Sequence, residues 1–163
     1  MNTKKLTHIA VFAAIVLLTT MVVSIPVPGT NGYIHLGDAS IFLAGALLGP
    51  FGGALAGGIG SMLADILSGY AHWALPTLLI KSLMGAVVGV LLLRPSNKKR
   101  LLSEVIAMTA SGAIMIVGYY IAAAILYGNW ATPIASIPMN LVQFAAGLTI
   151  ALMVLTGLKR VFR

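Results

Sequence analysis

Five stretches of this chain run for roughly 20 residues with almost no charge, which is the length an α-helix needs to cross a bilayer. A chain that is 60% hydrophobic and 8% charged, with a mean hydropathy of +1.04, carries more apolar surface than a water-soluble fold can hide. The sequence therefore reads as an all-α integral membrane protein, a single membrane domain over residues 1–163. Spanning helices are expected at about 6–25, 51–70, 74–93, 103–127 and 134–158, the last provided that Pro138 falls in its first turns, where a proline costs little. Residues 6–25 follow Lys4 and Lys5 in the manner of a secretory signal. However, they are as long as a span, and "PVPGTNG" after them offers no A-x-A-like cleavage site, so this is expected to be a retained first helix.

A sixth apolar piece, 36–49, is short for a span, ~21 Å at the helical rise. Two readings are open: a re-entrant half-helix, or a short full helix ending at the "GPFGG" turn, Gly49 to Gly53. Charge distribution selects the second. The basic residues cluster at Lys4 and Lys5, at Arg94 to Arg100 and at Lys159 to Arg163. Six crossings put all three clusters, and both termini, in the cytoplasm, as the positive-inside rule requires. The outer connections, 26–37, 69–73 and 128–136, then hold no Lys or Arg but do hold Asn31, His35, His72, Trp73, Asn129 and Trp130.

Polar residues within the spans gather in the same half. By helical rise, Asp65 lies ~8 Å and Lys81 ~10 Å below the outer ends of their helices, with Tyr119, Tyr120, Asn140 and Gln143 in the outer parts of the last two. Charges in hydrocarbon pair or face a wet cavity. Asp65 with Lys81 is the expected pair, either holding two helices together or touching a ligand. Asp38, in "GYIHLGD", is expected to cap the helix that begins there. Much chemistry is excluded. With no cysteine there are no disulfides or thiolate sites, and the net charge of +7 is clustered as in membrane topology rather than spread as a nucleic-acid surface. No phosphate loop precedes Lys81 and Ser82, and the glycine-rich 45–61 suits close helix packing better than nucleotide binding. Three histidines without metal-ligand spacing, and no G-x-S-x-G, argue against an enzyme, a metal site or a cofactor. A channel or secondary carrier would carry polarity through the full depth. The pattern suits an outward-opening cup, a receptor for a small polar aromatic molecule.

The segment "HLGDASIFLAGALLGPFGGALAGGIGSMLADILSGYAHWALPTLLIKSLMGAVVG", His35 to Gly89, resembles the substrate-binding S component of energy-coupling factor (ECF) transporters, in the riboflavin, pyridoxine and hydroxymethylpyrimidine branch. Its most specific parts are "GD" entering the second helix, "GPFGG", Asp65 and the spacing from Pro76 to Lys81; size and the six-helix plan extend the likeness over nearly the whole chain. The resemblance implies a multi-pass protein of the bacterial plasma membrane that captures a water-soluble vitamin outside. It would then dock in the lipid onto a transmembrane coupling protein carrying two ATPase subunits, and topple to face the cytoplasm. Energy would come from those partners, which accounts for the missing phosphate loop. Ala10 and Ala14 match the family's A-x-x-x-A surface for the coupling protein. Tyr33 and His35 would line the lid, and Asp38, Asp65, His72, Trp73, Lys81, Tyr119, Tyr120, Trp130, Asn140 and Gln143 would complete the site. Since riboflavin carriers of the branch are longer, the short outer loops imply a smaller ring, pyridoxine or hydroxymethylpyrimidine, with riboflavin next. A self-sufficient channel or carrier is the alternative.

Overall fold

The computed structural model describes residues 2–27, 32–93 and 100–161. Asn31, most of the basic Arg94 to Arg100 stretch and Arg163 thus lie outside the described residues. The elements in chain order are α1 (Thr3–Val22), strands β1 (Ser24–Val27) and β2 (Gly32–His35), α2 (Gly37–Leu67), a 3-10 turn (Ala71–Trp73), α3 (Ala74–Leu91), α4 (Arg100–Tyr127), a second 3-10 turn (Thr132–Ser136) and α5 (Ile137–Val161). By length and composition, five apolar helical segments can cross a membrane.

Asn2 starts α1, its side chain accepting from the Lys4 N–H at 3.2 Å. The β-branched run after Val22 then leaves the helix for an antiparallel hairpin, with Ser24 opposite His35 and Pro26 opposite Tyr33. A two-stranded ribbon consists of edges alone, so Pro26 fits without breaking a ladder on both sides. This hairpin adds to the expected helical fold, and it ends α1 three residues before the anticipated position 25. At the other end of the chain, Pro138 is the second residue of α5, and the 3-10 turn at Thr132–Ser136 replaces the expected helical start at 134.

Expected spans 36–49 and 51–70 form one element, α2, broken at Gly49, whose φ of 77° and ψ of −175° are not helical. The chain folds back there. A β-carbon at Gly53 would lie 2.6 Å from Gly45 Cα, and one at Gly57 3.0 Å from an Ile41 methyl. Residues 16 apart on a continuous helix would be ~24 Å apart. The break also lies at the far end of α3, since a β-carbon at Gly89 would sit 2.5 Å from both the Gly49 carbonyl carbon and Pro50 Cα. Residues 37–48 and 50–67 are therefore two antiparallel limbs packed on α3. Glycines at their contact, Gly45, Gly53 and Gly85, bring backbones together, with a β-carbon at Gly53 falling 2.6 Å from the Gly85 carbonyl oxygen. Around this centre Val16, Ile41, Phe42, Met84, Val88, Met108 and Met115 form the apolar core.

The end remote from the hairpin holds the basic residues. Glu104 on α4 is buried and accepts from Lys159 on α5 at 2.6 Å and from Arg100 at 3.4 Å. This third carboxylate, which no sequence expectation used, ties the last two helices together near their basic ends.

Candidate functional site

At the hairpin end, strand β2, the end of α2, the first turns of α3 and α5 and the end of α4 leave a cavity of about 680 Å³, the open solvent at its mouth included. Its walls come from segments far apart in the sequence: Tyr33 and His35 from β2, Asp65 from the second limb of α2, and Trp73 and Thr77 from the α3 entry. Tyr119 and Tyr127 on α4 and Met139, Asn140 and Gln143 on α5 complete the ring, with Thr132 and Ser136 at the 3-10 turn.

A hydrogen-bonded group closes the cavity from below. Lys81 and Asp38, both wholly buried, form an ion pair. Gln143 donates to the second Asp38 oxygen at 2.8 Å and to Met115 Sδ at 3.3 Å, and its carbonyl accepts the His35 backbone N–H at 3.0 Å. One amide thereby joins α5, α2, α4 and β2. Gly147, one turn below Gln143 on the same face, admits the start of α2, where a β-carbon would already lie 3.0 Å from Asp38 Cβ. Lys81 Nζ also sits 5.2 Å from the centre of the Tyr119 ring, whose hydroxyl shares a hydrogen bond with Thr77 at 3.1 Å.

His35 Nδ1 accepts the Gly37 N–H at 3.0 Å, which leaves the imidazole proton on Nε2. Burial first, and the Lys81 charge second, push its pKa down to about 3, so the ring is neutral. Tyr33 donates to Asp65 Oδ1 at 2.7 Å. Burial and that neighbouring carboxylate raise the Tyr33 pKa, which keeps the phenol proton available for the bond. Asp65 Oδ2 meets no donor among the described residues. Aromatic rings line up around the opening: Tyr33 on Tyr70 at 4.7 Å, and Trp73 edge-on to Tyr119 at 5.8 Å and to Tyr127 at 6.1 Å.

A cavity walled by aromatics and closed below by buried polar groups, at one end of a helix bundle, has the form of a small-molecule pocket. A model of the family described as "ECF-type riboflavin transporter, S component" matches residues 1–160. The chain belongs to this family. It is accordingly a multi-pass membrane transporter component of the kind that associates with a coupling protein and ATPase subunits. This S component is 40% identical over 135 residues to an uncharacterized protein in a gap 3′ region of Pyrococcus woesei, covering 83% of this chain and 88% of that one. It is 29% identical over 151 residues to the thiamine precursor transporter HmpT of Lactococcus lactis subsp. cremoris strain MG1363, covering 92% and 84%. Among solved structures, FolT bound with folic acid superposes with a TM-score of 0.64 at 16% identity over 93% of each chain, which is a likeness of fold.

Of the residues anticipated from sequence for this S component, Tyr33, His35, Asp65, Trp73, Tyr119, Asn140 and Gln143 line the cavity. Asp38 and Lys81 lie behind it, and they pair with each other, which corrects the expected Asp65–Lys81 pair. Equal depth on adjacent helices does not decide which way two side chains turn: Lys81 faces the first limb of α2, while Asp65 faces Tyr33. Asp38 is also no cap. Leu36 holds the N-cap position with no side-chain bond, Asp38 lies in the first turn, and the N–H of Gly37 goes to His35. His72 is exposed and stacks beside Tyr70 and Trp73; Tyr120 donates to the Trp130 carbonyl at 2.9 Å away from the cavity lining. Thr77 and Tyr127 were missed. Thr77 stands one residue after Pro76 and four before Lys81, within the motif already singled out.

Proposed function

We propose that this chain captures a small water-soluble vitamin or vitamin precursor at the outer face of the plasma membrane and hands it inward with a coupling protein and two ATPase subunits. One observation carries the reading: the cavity at the end remote from the basic residues, with its aromatic rim and the Gln143–Asp38–Lys81 floor. Stacking on Trp73 or a tyrosine would hold a flat ring, and Asn140, Thr77 and Asp65 would bond its polar substituents. A single ring, hydroxymethylpyrimidine or pyridoxine, is favoured over riboflavin; the short outer loops and the similarity to HmpT both support this. The chain would cross the membrane six times with both termini inside, a reading supported by the depth of the Gly49 turn and by the positive-inside rule. Ala10 and Ala14 are exposed on α1 and would let a helix of the coupling protein approach closely.

Mass spectrometry of the compound released on unfolding, followed by rebinding monitored through Trp73 fluorescence, tests the cargo. A pyrimidine, pyridine or flavin at stoichiometric amount is the expected result. Net uptake by this chain alone in proteoliposomes would overturn it in favour of a self-sufficient carrier. Ala10→Leu and Ala14→Leu should keep binding and lose transport in the complete complex, and unchanged uptake would remove that surface from the reading.

A further inference from the structure

The cavity contains one carboxylate that the protein leaves half satisfied. Asp65 is 5% exposed and lines the cavity, with Oδ1 taken by Tyr33 and Oδ2 without a donor among the described residues. A buried carboxylate oxygen lacking a partner is costly, and more so than a neutral one. The amine that could have answered it, Lys81, is committed to Asp38. Among the described residues no lysine or arginine lines the cavity, and His35 has its Nδ1 occupied by the Gly37 N–H. Trp73, Tyr119 and Tyr127 line the same cavity, and the π-faces of such rings attract positive charge. Asp65 is therefore the one full charge among the described residues that line the cavity.

We propose that Asp65 is the ligand's anchor, and that the site selects a heteroaromatic ring bearing an amino N–H or a protonated ring nitrogen against rings of the same shape that present a carbonyl or an anionic group there. This rests on the receptor reading above and specifies its substrate class. A donor opposite Oδ2 supplies the missing hydrogen bond, strengthened by the carboxylate charge. A carbonyl in its place sets two acceptors face to face, so that each loses its water without gaining a partner.

The test compares 4-amino-5-hydroxymethyl-2-methylpyrimidine with its 4-oxo counterpart, which keeps the size, puts a carbonyl acceptor where the amino donor stood and turns the neighbouring ring nitrogen into an N–H, on the purified full chain in detergent. The unaltered protein should bind the amino compound at least about 10-fold more tightly. Asp65→Asn, nearly the same shape without the charge, should weaken the amino compound about 10- to 100-fold and shrink the preference. If Asp65→Asn does not fold, the two ligands on the unaltered protein still decide. Equal binding of both compounds, or tight binding of riboflavin alone, overturns the Asp65 anchor and leaves the receptor reading intact. An Asp65→Asn protein that keeps the full preference does the same. Failure of the unaltered protein to bind any of these compounds, or pyridoxine, overturns both.

Discussion

At the scale of single residues, the most consequential pair is Lys81 with Asp38, neither of them exposed at all. Two charges taken from water regain little net stability from each other, yet removing one leaves the other stranded in a medium that cannot solvate it. Lys81→Met should therefore destabilise the protein by about 3–5 kcal/mol, and Lys81→Met combined with Asp38→Asn by clearly less. Reversible unfolding in mixed micelles reads both; a double variant as unstable as the single would show that the pair is not the source of the loss. The need for some partner to Lys81 was legible in the sequence, because a lysine amid "LPTLLIKSLMGAVVG" must be answered. Its identity was not. Depth follows from counting residues along one axis, whereas the direction of a side chain follows from how helices rotate against each other, and that placed Asp38 rather than Asp65 opposite the amine. The same holds for His35. A histidine before "LGD" carries no capping signal, and it takes the Gly37 N–H because the β2 strand delivers it there.

Among elements, the hairpin within α2 depends on one backbone conformation. Gly49, at φ 77° and ψ −175°, occupies a region that residues with a side chain rarely enter, while a β-carbon there would touch nothing within 4 Å. Gly49→Ala should thus cost about 1–3 kcal/mol from the backbone alone. Thermal unfolding against Gly157→Ala, also in open space but without a positive φ, isolates that contribution; equal shifts for both would refute the assignment. "GPFGG" was readable as a turn since Pro50 disfavours the helical conformation at the residue before it. The glycine-rich 45–61 was readable as a packing surface too, and Gly45, Gly53 and Gly57 meet neighbouring backbone and the Ile41 side chain. By contrast, the ribbon of β1 and β2 left little trace. Its strands are four residues each, one contains a proline, and their pairing is a contact between segments rather than a local preference.

For the whole molecule, Lys4, Lys5, Arg100, Lys159 and Arg160 lie at the end opposite the cavity, remote from Tyr33 and Trp73. Six crossings with both termini inside predict that Lys4→Cys and Arg160→Cys are protected from an impermeant maleimide in intact cells, while His72→Cys is labelled. The absence of native cysteine makes each label unambiguous, and labelling of only one terminus from outside would refute the topology. By itself, the sequence determined the membrane as solvent, the apolar helical make-up of the chain, the end at which polar and aromatic residues gather, and the family. These follow from lengths of apolar runs, from where charges are tolerated and from short motifs, all of which are local. Only the tertiary structure decided that Asp38 answers Lys81, that Gln143 links four elements beneath the cavity, and that one oxygen of Asp65 meets no donor among the described residues. Those facts depend on the rotation and close approach of helices distant in sequence, through glycines such as Gly147, and no count of residues along a single helix contains them.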